Sequence, residues 1–321
     1  MSSMLEVFRT LSSFSPVRAD LSKAPWDAYV DWAISQGLAP LAAYNLEYRL
    51  GQCGAPEWAR DRLLSIYAGS ANDNVMKLVN FKQQVDELEG RTIVLLGAAS
   101  FVESLYPHVA FRPVIDVRVM VPESDLDGFA NFLKRGQFRP DPSIVDASKA
   151  ERTLSDTRTV VYLHGRLAAN PEGDRELLAR ALPMKVFGPS VRRLDLEDSI
   201  LTHVVLMARA GFEVPMIELV DLRELVLGAP SLGGVYSRPV DAAVLHSRAK
   251  GFGVDRALWA ALKLVERLFP ETATVVATLV PDVSFPVREV LERLLVAPLA
   301  DVGRTQGFRG EDTLRALLTQ G

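Results

Sequence analysis

The hydrophobic and polar positions along the chain form three successive patterns. Over residues 1–91 the apolar positions recur at helical spacing, as in Trp26, Tyr29, Val30 and Ala33. Residues 92–194 contain short β-rich runs that alternate with helical stretches, and helical spacing returns over residues 195–321. The pattern predicts an α+β fold, in which a small mixed β-sheet core is flanked by an N-terminal helical region and a C-terminal helical domain.

Glycines and acidic residues mark the expected helix ends. In the first region the spacing predicts helices from Trp26 to a stop at Gly37, over about 39–50 and over about 56–89. In the last region, a helix is expected to begin at LDLEDSIL, where acidic residues favour a helix start, and to end at Gly211. Further helices extend to a final one in EDTLRALLTQ, residues 311–320, and PSLGGVYSRP, residues 230–239, is the clearest predicted loop.

Four strands are predicted in the central core, over residues 92–97, 111–121, about 157–168 and about 183–188. The second, FRPVIDVRVMV, alternates like a half-buried strand. Its apolar face is expected to carry Ile115, Val117, Val119 and Val121. Asp116 and Arg118 share the other face, and this pairing of a carboxylate with a guanidinium makes the strand a candidate for a functional site.

Charge and cysteine content exclude some classes of protein. Lys and Arg total 36 against 40 Asp and Glu, a net charge of −4, and no basic run stands out, so we expect no nucleic-acid partner. The single cysteine, Cys53, excludes an intramolecular disulfide and suits a reducing compartment. The N-terminus does not have the pattern of a signal peptide, and no apolar run reaches the roughly 18 residues of a membrane span. The sequence predicts a soluble, cytoplasmic protein.

A series of motifs gives the chain a resemblance to a known family. They are a helical lead-in (Trp26, Asp27, Ala33, Gly37, Leu38, Pro40, Leu41), IVLLGAAS, RPVIDVRVMV, a helix ending in Gly-Gln-Phe, VVYLHGRL, LDLEDSIL and VDLRELV. Over roughly residues 25 to 270 the chain resembles the bacterial family of uncharacterised nucleotidyltransferases, a divergent branch of the polymerase-beta-like superfamily. The resemblance implies a nucleotidyltransferase-like core over 92–194, and Mg²⁺ with a nucleoside triphosphate where the activity is retained.

Compared with the family pattern, the expected metal site is changed. Arg118 stands where the second aspartate of an Asp-x-Asp pair is expected, and only the first, Asp116, remains. On the later strand Tyr162 replaces an acid, and Leu96 replaces a lysine before the glycine turn. The resemblance therefore implies one retained catalytic and metal-ligating carboxylate, Asp116. It implies a nucleotide- or phosphate-binding set that consists of Gly97, Ser100, Arg112, Arg118 and His164.

The replacement at Arg118 has a physical consequence. Two carboxylates on one face recruit Mg²⁺, a hard cation that prefers oxygen ligands, whereas a carboxylate beside an arginine does not. Arg118 is expected to pair with Asp116 and to place a fixed cation where the metal would lie. The alternative is an ordinary surface ion pair that contributes little. For His164 the alternative to a ligand contact is a structural hydrogen bond.

Three functions follow from these alternatives. The first is a catalytically degenerate nucleotidyltransferase, kept as a nucleotide- or phosphate-binding or scaffolding protein. The second is an active Mg²⁺-dependent enzyme that transfers a nucleotidyl group to a small molecule or a protein, with a metal ligand supplied by a residue such as Asp125, Asp127 or Asp156. The third is an interaction module whose helical regions bind a protein partner.

Overall fold

Helices and one mixed sheet make up the fold. The computed structural model describes residues 3–88, 91–140, 149–185, 187–188, 190–228 and 235–295. The α-helices of these residues are α1 Met4–Leu11, α2 Trp26–Ser35, α3 Ala39–Tyr44, α4 Glu57–Val85, α5 Gly97–Ser104, α6 Leu126–Arg135, α7 Pro171–Arg180, α8 Leu196–Arg209, α9 Met216–Leu227, α10 Ala242–Phe252, α11 Asp255–Leu268, α12 Ala273–Leu279 and α13 Phe285–Leu295. The strands are β1 Ile93–Leu96, β2 Asp116–Met120, β3 Arg139–Pro140, β4 Glu151–Ser155, β5 Val160–His164, β6 Leu182–Pro183 and β7 Val191–Arg193.

The helical regions lie where the sequence pattern predicts them, and the fold class is confirmed. The predicted helix over 39–50 consists of α3 and a π-helical segment, Asn45–Arg49, and the predicted long helix is α4. The predicted helix over 311–320 and residues 230–234 of the predicted loop lie outside the described residues. None of the described helices combines the length and the apolar character that crossing a membrane requires.

The sheet mixes parallel and antiparallel pairs. Its strand order is β3-β4-β5-β2-β1-β7-β6. The pairs β2–β5 and β1–β7 are parallel, and the others are antiparallel. In the central register Arg118 lies opposite Leu96 on one side and Tyr162 on the other, so these three side chains share one face of the sheet.

Two hydrophobic cores cover the two faces of the sheet. One face packs against α6 and the end of α4, through side chains such as Val117, Val119, Phe129 and Phe81. On the other face, Val94, Leu96 and Met120 belong to a larger core that includes helices from both ends of the described chain, from α1 to α13. The polar face of β2 therefore meets the C-terminal helices. The boundaries at 91/92 and 194/195 stay a prediction.

The structure corrects three details of the predicted core. The second strand begins at Asp116 and not at residue 111, so Ile115 precedes it and is 61% exposed instead of buried. Of the described residues between 183 and 188, only Pro183 is in a strand; the strand that joins β1 is β7, further along the chain. The sequence pattern also missed β4, a short polar segment that pairs with β5.

Candidate functional site

A glycine turn opens one end of the site. Gly97 follows β1 directly, has a φ of +54° and starts α5, and a methyl group added to it would meet no atom within 4 Å. The dihedral angle, not lack of space, therefore favours glycine here. No side chain caps this helix end, so its first amides lack a side-chain acceptor, and the region next to Gly97 is open. Ser100, one turn along, is buried, and no described residue bonds to its hydroxyl.

Arg118 and Asp116 form a two-point ion pair beside this turn. The Nε of Arg118 donates to Oδ1 of Asp116 at 3.1 Å and its Nη2 donates to Oδ2 at 3.3 Å. Burial opposes the charge of Arg118, but Asp116 and then Glu218 outweigh burial and raise the pKa of Arg118. The Arg118 side chain is 30% exposed, so the pair is partly buried and lies at the edge of a polar face. The guanidinium also lies 5.9 Å from the ring centre of Tyr162.

Arg112 has a different environment from Arg118. It is 2% exposed and lies before β2, with Nε donating to Asp221 at 2.9 Å and Nη2 donating to Glu218 at 2.6 Å. Its Nη1 donates to the carbonyl of Pro113 at 2.8 Å. The hydroxyl of Tyr106 donates to the second oxygen of Asp221. Arg112 thus connects the segment before β2 to α9. Phosphate binding by Arg112 stays a prediction.

The two acids of this network differ in their ionisation. Burial opposes the charge of Glu218, but its electrostatic interactions, with Arg112 the largest, outweigh burial and lower the pKa of Glu218 to about 2. For Asp221 burial is the larger effect, and it raises the pKa in spite of Arg112. Glu218 is therefore the more strongly ionised partner of Arg112.

One group of side chains has metal-ligand chemistry. Within the described part of the chain, His203, Glu218 and Asp221 form the one such group, with ligand atoms within 4.8 Å of one another. Arg112 bonds to both of its carboxylates, and a metal ion would have to compete with that guanidinium. Asp116 is not part of this group, so among the described residues it belongs to no set of three potential metal ligands.

The three acids considered as replacements for the missing aspartate have other partners. Asp125 accepts a hydrogen bond from the hydroxyl of Ser124 at 3.2 Å. Asp127 pairs with Arg152 at 2.8 Å. Asp156 accepts bonds from the amides of Arg158 and Thr159, as well as from Asn80. These contacts hold the three carboxylates in local structure.

His164 lies on the same face of the sheet, one step beyond Tyr162. It ends β5, is buried, and its Nδ1 lies 3.2 Å from Oε1 of Glu151 on β4. The same oxygen accepts a hydrogen bond from Arg209 at the end of α8. No described residue bonds to the Nε2 of His164.

The structure brings Gly97, Asp116 and Arg118 together among the six residues that the sequence indicated. Gly97 follows the residue paired with Arg118, and Asp116 and Arg118 bond to each other. Sequence reasoning missed the residues that complete the surroundings: Tyr106, Glu151, Arg209 and Glu218. For Glu218 a signal existed, because its spacing of three from Asp221 puts two acids on one helix face.

A strand, a glycine turn into a helix, and a neighbouring strand that carries an aspartate are the arrangement of a nucleotidyltransferase-like core. The comparison of sequences agrees with this class. The chain belongs to the family described as uncharacterised nucleotidyltransferase, whose family model matches residues 22–270. The comparison with curated proteins found no match.

Proposed function

We propose that this nucleotidyltransferase-fold protein is catalytically degenerate and binds the phosphate groups of a nucleotide without Mg²⁺. The observation that carries the proposal is the two-point pair of Arg118 with Asp116. A guanidinium stays protonated at any physiological pH, so Asp116 always has a cation beside it. Mg²⁺ at this carboxylate would meet that positive charge and would find no second acid on the strand.

The same guanidinium retains capacity for a ligand. The Nε and Nη2 of Arg118 donate to Asp116, and no described residue bonds to its Nη1. The uncapped start of α5 lies at the same end of the sheet, because Leu96 pairs with Arg118 and precedes Gly97. An arginine together with free helix amides is suited to a phosphate group.

The test is a calorimetric titration of the purified chain with ATP, GTP, CTP and UTP, each with and without Mg²⁺. We expect one or more of them to bind with an affinity that Mg²⁺ does not raise. Arg118→Gln should weaken that binding roughly tenfold or more, since a charge-assisted hydrogen bond is lost. The matched control is Arg62→Gln, which removes an exposed arginine paired with Asp31 and should leave binding unchanged.

Other outcomes would favour the other two functions. Binding that requires Mg²⁺, together with a transfer reaction abolished by Asp116→Ala, would contradict the proposal and support an active enzyme with rearranged ligands. Absence of binding by all four nucleotides would contradict it in favour of a protein-interaction module. The exposed apolar side chains of α4, among them Trp58, Met76 and Val79, would then be the first surface to test.

A further inference from the structure

His164 has one ring nitrogen in use and one that is buried without a partner. Nδ1 contacts Glu151, whereas no described residue bonds to Nε2. The whole residue is 6% exposed. A buried polar atom without a partner is unfavourable, so this nitrogen is a place where a ligand group would be stabilised.

Glu151 determines the chemical character of that nitrogen. Its Oε1 already accepts a hydrogen bond from Arg209, and an ionised carboxylate can only accept. The proton between His164 and Glu151 is therefore carried by Nδ1. Burial lowers the pKa of His164. The hydrogen bond to Glu151 raises it, whereas the cations of Arg209 and Arg118 lower it further, and the net result is a lowered pKa. The ring is neutral at pH 7, and its Nε2 presents a lone pair.

A lone pair and a proton select different ligand groups. A protonated nitrogen would donate to a phosphate oxygen, whereas a lone pair repels that oxygen and accepts from a hydroxyl. His164 lies on the side of Arg118 that faces away from the glycine turn, because it pairs with Met120, whereas Leu96, just before Gly97, pairs with Arg118. His164 follows Tyr162 by two positions on β5, so the two side chains share a face at a spacing of about 6.6 Å along the strand.

We propose that Nε2 of His164 accepts a hydrogen bond from a sugar hydroxyl of a nucleotide whose phosphates lie at Gly97 and Arg118. This inference rests on the proposed function, and it replaces a phosphate contact at His164 by a contact to the sugar. Glu151 and Arg209 are positioning residues, because they hold the ring and its proton without reaching the ligand.

Two measurements test the assignment. The first is the ¹⁵N NMR spectrum of the histidine ring in the ligand-free protein, in which we expect a proton on Nδ1 and none on Nε2. The second compares the nucleoside triphosphate that binds most tightly with its 2′,3′-dideoxy counterpart, which keeps the phosphates and lacks the hydroxyls. We expect the wild-type chain to bind the dideoxy compound roughly threefold to tenfold more weakly, the effect of one neutral hydrogen bond.

A variant separates the hydroxyl contact from the fold. In His164→Asn the amide group can still donate to Glu151, but the atom that corresponds to Nε2 is gone. This variant should bind both compounds with equal affinity. A proton on Nε2 in the free protein, or equal affinities of the wild-type chain for the two compounds, overturns the assignment of His164 alone. Absence of binding by every nucleoside triphosphate overturns the proposed function with it.

Discussion

Arg112 and Arg118 are close in the chain, and their surroundings give them different roles. Arg112 is buried and bonds to two carboxylates of α9, so a ligand could reach it only by displacing an acid. Arg118 is partly exposed and bonds to one carboxylate of its own strand. The first arginine therefore holds the sheet to α9, and the second is the one available to a ligand.

The buried arginine makes stability depend on pH through Glu218. Its pKa is about 2 in the folded chain, against an ordinary value of 4.5. A carboxyl group with a lowered pKa contributes stability above its unfolded pKa and loses it as the pH falls toward its folded pKa. Between about pH 4.5 and pH 2, the free energy of unfolding should fall more steeply in the wild-type chain than in Glu218→Gln. The difference is up to roughly 3 kcal/mol.

Urea unfolding at a series of pH values measures this difference. The slope with pH is the quantity to compare, because Glu218→Gln also lowers stability at every pH by weakening the bond to Arg112. Glu213→Gln changes an exposed acid just before α9 and should keep the wild-type slope. Parallel curves for the wild-type chain and Glu218→Gln would show that Glu218 does not carry the charge that we assign to it.

The sequence predicted the contacts within one strand and not those between distant segments. Residues two apart on a strand share a face, so the pairing of Asp116 with Arg118 followed from the alternation. The partners of Arg112 are 106 and 109 residues away in the chain. No local pattern links residues at such separations, and only the packing of α9 against the sheet brings them together.

At the scale of elements, apolar periodicity found the long helices and the central strands. It missed β4 because Glu151–Ser155 is polar and contains one apolar residue, Leu154. That strand is stabilised by its antiparallel hydrogen bonds with β5, and such pairing is determined by tertiary structure. The same strand carries Glu151, so missing the element also meant missing the residue that orients His164.

The turn between β1 and α5 supports a prediction about the binding site. Gly97→Ala should cost roughly 1–2 kcal/mol of stability, since its φ is +54° and a left-handed conformation is unfavourable for alanine. The new methyl group would enter the open region before α5 and weaken nucleotide binding. Chemical unfolding and calorimetric titration measure the two effects.

Gly51 provides the matched control for this prediction. It has a φ of +61° and an equally open environment, and it lies in the N-terminal helical region. Gly51→Ala should lose a similar amount of stability and keep the wild-type affinity for nucleotide. Equal effects of the two substitutions on affinity would remove Gly97 from the proposed site.

At the scale of the whole molecule, the two ends of the described chain share a hydrophobic core. Phe8 of α1 packs against Trp32 and Phe269, with both ring centres at 5.5 Å. Arg9 donates to the carbonyls of Leu268 and Arg267 at the end of α11. The N-terminal helices therefore help to hold the C-terminal helices that cover the polar face of the sheet.

This shared core predicts that the helical regions unfold together. Phe8→Ala should lower the free energy of unfolding by roughly 3–5 kcal/mol, because a large buried ring is removed. Phe285→Ala, at a ring that is 66% exposed, should change it by less than about 0.5 kcal/mol. Thermal unfolding followed by circular dichroism and by tryptophan fluorescence should give a single coincident transition in each protein. Separate transitions would mean that the N-terminal region folds independently.

The most direct test of the central claim exchanges the charge at position 118. Arg118→Asp creates an Asp-x-Asp pair on β2 and removes the fixed cation. We predict that the wild-type chain binds a nucleoside triphosphate equally well with Mg²⁺ and with a chelator, whereas Arg118→Asp binds it only with Mg²⁺. Calorimetric titration of both proteins under both conditions gives the four affinities. A wild-type chain that needs Mg²⁺ to bind the nucleotide would contradict the account.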